Sequence, residues 1–162
     1  MRPTDALRTL LAFIVLVVLH FTLRPLLGWR ASPDFFVIAL LLVAIRVRPG
    51  TAAVLGFAMG LVSDSLAITA FGIGALALCV VGFAASWLKA VFFADDVVLN
   101  AFFFFLGKWA FDAIVLIGEH RLGFIATARE LLVWSSLSAA VTALAGLIVL
   151  LILRPLLRTA AS

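Results

Sequence analysis

The chain has 162 residues, of which 66% are hydrophobic and only 12% are charged. A soluble domain is about 45–50% apolar and about 25% charged, so this chain has too few charges to build a water-facing surface. The composition excludes an ordinary soluble enzyme, a secreted disulfide scaffold and a disordered tail. The twelve Lys and Arg residues are mostly scattered between apolar stretches, which argues against nucleic-acid binding. The sequence therefore indicates an all-α polytopic membrane protein.

Six apolar segments are predicted to span the membrane as one integral membrane domain, residues 1–162. A spanning helix needs about 20 mostly apolar residues, and four of the segments meet this length. The second is the shortest, and Pro49-Gly50 separates it from the third. The second would extend only about 22 Å as a helix, so it must be sheltered by its neighbours or thin the bilayer locally. The predicted spans are 6–23, 33–47, 51–68, 74–93, 97–118 and 131–153.

The basic residues in the loops and near the ends of the spans predict the orientation. With six spans, one side of the membrane holds seven of them and the other side holds four. Because cytoplasmic loops are enriched in Lys and Arg, we expect both termini in the cytoplasm. No small-residue cleavage site follows the first apolar segment, which we therefore interpret as an uncleaved helix. The cytoplasmic set is Arg2, Arg8, Arg46, Arg48, Lys89, Arg154 and Arg158, and the opposite set is Arg24, Arg30, Arg121 and Arg129.

Lys108 and Asp112 are the charged residues placed deepest in a predicted span. A charge at the bilayer centre costs about 2.5–3.5 kcal/mol on insertion scales, so a charged residue placed there is expected to have a structural or functional role. The i,i+4 spacing puts both side chains on one helical face, where they can pair. The pair could serve as a proton or ion relay, or it could neutralise itself and fix the packing of the fifth span. We favour the structural role.

Asp64 and the glycines around it mark the turn between the third and fourth spans. Gly56 and Gly60 form a GxxxG face that allows another helix backbone to approach closely. Gly72 suggests a tight turn before the fourth span. Asp64 would then cap that turn, with a substrate-binding carboxylate as the alternative.

The last span carries small residues at i,i+4 spacing, which predicts a close-packing face inside the bundle or toward a partner helix. No hydroxyl or thiol is paired with a base in a way that would activate it, so no enzymatic activity is predicted. No metal-ligand spacing and no cofactor motif is found, and neither a metal nor a cofactor is expected. The small residues form the rows Ser135, Ala139, Ala143 and Ser138, Thr142, Gly146.

The order of motifs between residues 33 and 76 resembles the MreD family of bacterial rod shape-determining membrane proteins. The rest of the chain matches that family in length and hydropathy. Residues 65–70 depart from it, because the family often has a Gly/Pro-rich turn there. The motifs are Pro33-Asp34-Phe35, Arg46-x-Arg48-Pro49-Gly50, Gly56-x-x-x-Gly60-Leu61-x-x-Asp64 and Gly72-x-x-Ala75-Leu76.

The resemblance implies a non-enzymatic inner-membrane scaffold of the cell-elongation machinery. It implies binding to the membrane helix of MreC and work alongside MreB, RodA and a class B penicillin-binding transpeptidase. It also implies a compact six-helix bundle like the substrate-binding component of energy-coupling-factor transporters. On this hypothesis Gly56, Gly60, Asp34, Asp64 and Gly72 shape the partner-binding surface.

An alternative function is a small-molecule binding or transport component built on the same kind of bundle. Its hallmark would be polar groups that converge in a pocket. Lys108, Asp112 and Asp64 are the candidates for such a pocket.

Overall fold

The computed structural model describes residues 33–66, 71–92, 97–119 and 129–158, together with Ile14, Val15, Val18 and Thr22. Apart from those four residues, the first predicted span, 6–23, lies outside the described residues. All regular elements in the described ranges are helical, which confirms the all-α class. The count of six spans stays a prediction. The helices are α1 (Phe35–Ala44), α2 (Pro49–Leu66), α3 (Ile73–Phe92), α4 (Val97–Glu119), a π-helical turn (Glu130–Ser135) and α5 (Ser136–Arg158).

The short helix α1 forms the centre of the bundle. It contacts all four of the other α-helices, α2 to α5. Val37, Ile38 and Leu40 are 0% exposed, and almost every other residue of α1 is also buried. A helix that is apolar all round must be enclosed on every side. Its ten residues extend only about 15 Å, and the neighbouring helices shelter it along this length.

Local sequence signals explain where α1 begins and ends. Asp34 lies just before the helix in an extended conformation and is its N-cap. After the helix, the chain turns and Pro49 opens α2, a position where the missing N–H of proline costs nothing. The Val47 carbonyl in this turn accepts hydrogen bonds from Ser86 Oγ at 2.7 Å and Lys89 Nζ at 2.8 Å, both on α3. The end of α1 is thereby fastened to the end of α3.

Helices α2 and α3 form an antiparallel hairpin in which glycines allow the two backbones to touch. A Cβ atom added at Gly56 would overlap the Leu78 carbonyl, and one added at Gly60 would overlap the Ala75 backbone. At the other end of the hairpin, a Cβ on Gly82 would lie 2.7 Å from the Ala52 carbonyl oxygen. Side chains larger than hydrogen at these three positions would push the helices apart.

The second half of the chain supplies two long antiparallel helices. Gly146 of α5 lies against the Phe104 ring of α4, and Gly107 of α4 lies against Leu41 of α1. By length and composition, Val97–Glu119 and Glu130–Ile152 are the helices among the described residues that are long and apolar enough to cross a membrane. In the most apolar stretches of these two helices, 17% and 39% of the residues are buried inside the bundle.

Candidate functional site

A buried charged triad joins α1 to α4. Lys108 Nζ donates to Asp34 Oδ2 at 3.0 Å and to Asp112 Oδ1 at 2.6 Å. The ammonium also lies over the Phe111 ring, 4.9 Å from its centroid. The predicted i,i+4 partner, Asp112, is therefore joined by a second carboxylate from a residue 74 positions earlier in the chain. One ammonium shared by two carboxylates fixes how α1 sits against α4, in keeping with a structural role.

Asp34 is held from three directions. Its Oδ1 accepts the backbone N–H groups of Phe36 at 3.2 Å and Val37 at 3.4 Å, as an N-cap does. Its own backbone N–H donates to Thr142 Oγ1 of α5 at 3.1 Å. Asp34 thus caps α1, pairs with α4 and contacts α5. This one residue brings three helices together, whereas the family resemblance implied only that Asp34 helps to shape the partner-binding surface.

The triad lines a polar cleft of about 230 Å³ between the start of α1, α4 and the π-helical turn. Lys108 is eleven residues from the end of α4, which places it about 16 Å below that end. Glu130 and Trp134 also line the cleft, from the turn that leads into α5. The lining residues are Pro33, Asp34, Lys108, Asp112, Val115, Leu116, Glu130, Trp134, Ser135 and Ser138.

The π-helical turn explains why so many polar residues of one segment reach the same cleft. A π-helix bonds residue i to i+5, so residues five apart share a face, and such turns are frequent at functional sites. Glu130 and Ser135 have this spacing, and Ser138 follows one turn later in α5. Sequence reasoning missed Glu130, Trp134 and the turn itself. Propensity carries no signal for a single widened turn.

Asp64 belongs to a different place, the turn between α2 and α3. Its Oδ2 accepts the backbone N–H groups of Gly72 at 2.9 Å and Ala75 at 3.0 Å. Gly72 has a positive φ of 99°, a conformation that glycine adopts without strain. A Cβ on Gly74 would overlap the Asp64 carboxylate. The structure therefore places Asp64 in the predicted turn-capping position and outside the cleft.

The predicted small-residue faces are used for packing within the chain. Gly56 and Gly60 lie against α3, and Gly146 lies against α4. Ala139 and Ala143 are also buried. These residues therefore leave little room for a second helix to pack on the same faces.

In the described ranges, no three His, Cys, Asp or Glu side chains are grouped so that they could hold a metal ion. The cleft contains three carboxylates, from Asp34, Asp112 and Glu130, but they are not gathered around one point. Lys108 occupies the space between the first two. The chemistry available in the cleft is charge pairing and hydrogen bonding.

Comparison with known proteins identifies the family. The family model described as rod shape-determining protein MreD matches residues 4–159 of the 162-residue chain. No curated protein and no solved structure gives a significant match. The implied likeness to energy-coupling-factor components therefore stays a prediction. The family match includes every helix from α1 to α5, with the buried triad and the Asp64 turn. The chain belongs to the MreD family of rod shape-determining membrane proteins.

Proposed function

We propose that this chain is a non-enzymatic scaffold of the bacterial inner membrane that binds the membrane helix of MreC. In this role it helps to position peptidoglycan synthesis so that the cell keeps its rod shape. Membership of the MreD family carries the proposal, since the family determines rod shape. MreB, RodA and a class B penicillin-binding transpeptidase are the indirect partners that we expect, and the lipid bilayer surrounds the bundle.

The outward faces of the helices are the surfaces available for MreC. On α3, the exposed residues Leu76, Val80, Phe83 and Trp87 follow one another at helical spacing. On α5, Leu144 and Ile148 are exposed in the same way. Association of helices in lipid depends on close packing of such surfaces rather than on the hydrophobic effect. We call these two rows of exposed residues the α3 stripe and the α5 stripe. A single membrane helix needs to contact only one of the two stripes.

We also propose a multi-pass topology with both termini in the cytoplasm. The hydrogen bond from Lys89 to the Val47 carbonyl supports it, because it holds Lys89 beside Arg46 and Arg48 at one end of the bundle. These three residues belong to the set predicted to be cytoplasmic. Glu130 and the π-helical turn then lie toward the opposite side of the membrane.

Site-specific photocrosslinking in cells tests the MreC contact. The crosslinker replaces Val80 or Phe83 on α3, and Leu144 or Ile148 on α5, all of them exposed. Leu78 is the matched control, since it lies on α3 but is buried. We expect crosslinks to MreC from one of the two stripes and none from Leu78.

The readout is restricted to variants that restore rod shape to cells lacking the native protein. A functional set of variants with no MreC adduct from either stripe would contradict the proposal. Adducts of equal strength from the exposed positions and from Leu78 would also contradict it, because they would report random collision rather than a docked helix.

The polar cleft favours the second candidate, a small-molecule binding or transport component. Lys108 and Asp112, two of the three residues predicted for such a pocket, line it. Asp64, the third, is engaged in the α2–α3 turn. Lys108 is itself held by Asp34 and Asp112, which leaves the cleft with fewer converging groups than a hydrophilic substrate requires. The scaffold therefore remains the function that we propose.

A further inference from the structure

Two arginines in the turn between α1 and α2 have no partner among the described residues. Arg46 is half-buried and Arg48 is exposed, and no described group forms a hydrogen bond or an ion pair with either guanidinium. Lys89 of α3 lies beside them, since its ammonium donates to the carbonyl of Val47, the residue between them. That carbonyl carries no formal charge, so the ammonium is not neutralised there. Three cations are therefore placed at one turn, and no described carboxylate pairs with any of them.

This end of the bundle carries an excess of positive charge. The sequence places Asp95 and Asp96 directly after α3, on the same side as the three cations of the turn. Helix α5 reaches this side too, with Arg154 and Arg158 near its end. Five cations thus face two carboxylates, which leaves three positive charges even if both aspartates are paired. The described carboxylates all lie toward the opposite end: Asp34, Asp64, Asp112, Glu119 and Glu130.

The turn between α1 and α2 also lies short of the end of α3. Two contacts fix the register, because Ser86 Oγ donates to the Val47 carbonyl and Gly82 lies against Ala52. Helix α3 continues to Phe92, six residues past Ser86, or about 9 Å further. The 20 residues of α3 extend about 30 Å, which equals the thickness of the hydrocarbon layer. The arginines therefore start from the edge of the hydrocarbon and not from bulk water.

We call residues 45–48 together with residues 86–92 the basic step. A guanidinium at this depth needs an anion, because a charge removed from water costs free energy unless it is paired. The planar fork of arginine matches two oxygens of a phosphate. Phospholipids supply phosphates at this level, and basic pockets between membrane helices bind anionic headgroups. Trp87, which is 72% exposed in the same part of α3, is typical of the boundary between hydrocarbon and headgroups.

We infer that the basic step binds the headgroup of an anionic phospholipid, with Arg46 and Arg48 on its phosphate and Lys89 adding positive charge. A headgroup with a net negative charge is favoured over a zwitterionic one, because the ammonium of the latter would face three cations. The inference rests on the membrane location of the MreD family and not on binding to MreC, so either proposal can fail without the other.

Native mass spectrometry of the full-length protein tests the inference. The protein is released from micelles that contain phosphatidylglycerol and phosphatidylethanolamine at equal fraction. We expect phosphatidylglycerol to be retained in preference to phosphatidylethanolamine. R48Q should lower this retention about fivefold, and R46Q with R48Q should lower it further, since each arginine near an anionic headgroup contributes to binding. R48K keeps the charge and should restore much of the retention.

Two controls separate the basic step from the charge of the whole protein. R129Q is the matched control, because Arg129 is also exposed but lies at the opposite end of the bundle. R158Q removes a charge from the same end, at the last residue of α5 and outside the basic step. Both controls should retain phosphatidylglycerol as the unmodified chain does. Arg48 has no described side-chain contact to lose, so R48Q should keep the helix content seen by circular dichroism.

Three results would overturn the inference. Equal retention of the two lipids would show that the net charge of the headgroup is not recognised, as expected if Asp95 and Asp96 neutralise the turn. An equal loss in R48Q and R158Q would mean that this end attracts anionic lipids diffusely, without a site. A sample with inorganic phosphate in place of lipid tests the source of the phosphate: a phosphate adduct that R48Q abolishes, without a preference for phosphatidylglycerol, would assign the basic step to a soluble anion.

Discussion

The α2–α3 hairpin and the junction of α1, α4 and α5 both hold helices together, but through different interactions. In the hairpin, Gly56 and Gly60 have no side chain, so the backbone of α2 lies in contact with the backbone of α3. The junction brings its helices together by burying charge, with Lys108 between Asp34 and Asp112. The first depends on shape and the second on electrostatics.

Because of this difference, substitutions should destabilise the two regions in different ways. Close packing of small residues is lost gradually, as atoms are added and the helices move apart. A buried ion triad is lost abruptly, because removing one member leaves another charge without its partner in a region of low dielectric. The hairpin also carries its only described carboxylate, Asp64, at a turn that holds it with backbone N–H groups rather than with a cation.

Lys108→Met should have the largest effect on stability. It removes the ammonium that Asp34 and Asp112 share, and breaking a buried ion pair by removing one partner costs about 3–5 kcal/mol. The free energy of unfolding can be measured in detergent micelles by titration with SDS, followed by circular dichroism. Lys89→Met is the matched control, because Lys89 makes one hydrogen bond to a carbonyl that Ser86 also contacts. Its loss should cost about 1 kcal/mol or less.

A combined variant shows whether charge is the cause. Asp34→Asn keeps the N-cap, since Asn caps helices as well as Asp does. The triple change D34N, K108M and D112N removes all three charges together and should recover much of the stability lost in K108M alone. A triple variant as unstable as K108M would show that the lysine acts through packing, and the electrostatic account of the junction would be wrong.

Gly60→Ala should have the next largest effect. The added methyl group overlaps the Ala75 backbone, which cannot move aside as a flexible side chain would. Overpacking of this kind costs about 1–3 kcal/mol. Gly50→Ala is the control, since nothing lies within 4 Å of the added atom and alanine is the better helix former. The same SDS titration should show G60A destabilised and G50A unchanged or slightly more stable. Equal effects in the two variants would mean that the close approach of α2 and α3 contributes nothing.

The features of the fold that depend on local pattern could be predicted from the sequence. Hydropathy predicts helical segments near all the described helices, and the Pro49-Gly50 break falls where α2 begins. The i,i+4 spacing of Lys108 and Asp112 and the capping role of Asp64 also follow from neighbouring residues. In each case either the interacting residues are close in sequence, or one residue type has a strong conformational preference that can be recognised on its own.

The features that depend on distant contacts could not be predicted. Asp34 and Lys108 are 74 residues apart, and nothing in either neighbourhood points to the other. The sequence places Thr142 in a row of small residues, but its hydrogen bond to the Asp34 backbone depends on how α5 lies against α1. The predicted face of Gly56 and Gly60 could serve the chain itself or a partner, and only the position of α3 decides between them.

Changes at Asp64 should have the smallest effect and should separate hydrogen bonding from charge. Its Oδ2 accepts two backbone N–H groups, so Asp64→Ala should cost about 1 kcal/mol, as the loss of a helix cap does. Asp64→Asn keeps an acceptor oxygen and should retain most of that stability. Hydrogen exchange should quicken at the amides of Gly72 and Ala75 in D64A and change little in D64N. If D64N were as damaging as D64A, the negative charge would be what holds the turn, and the hairpin would depend on electrostatics as the junction does.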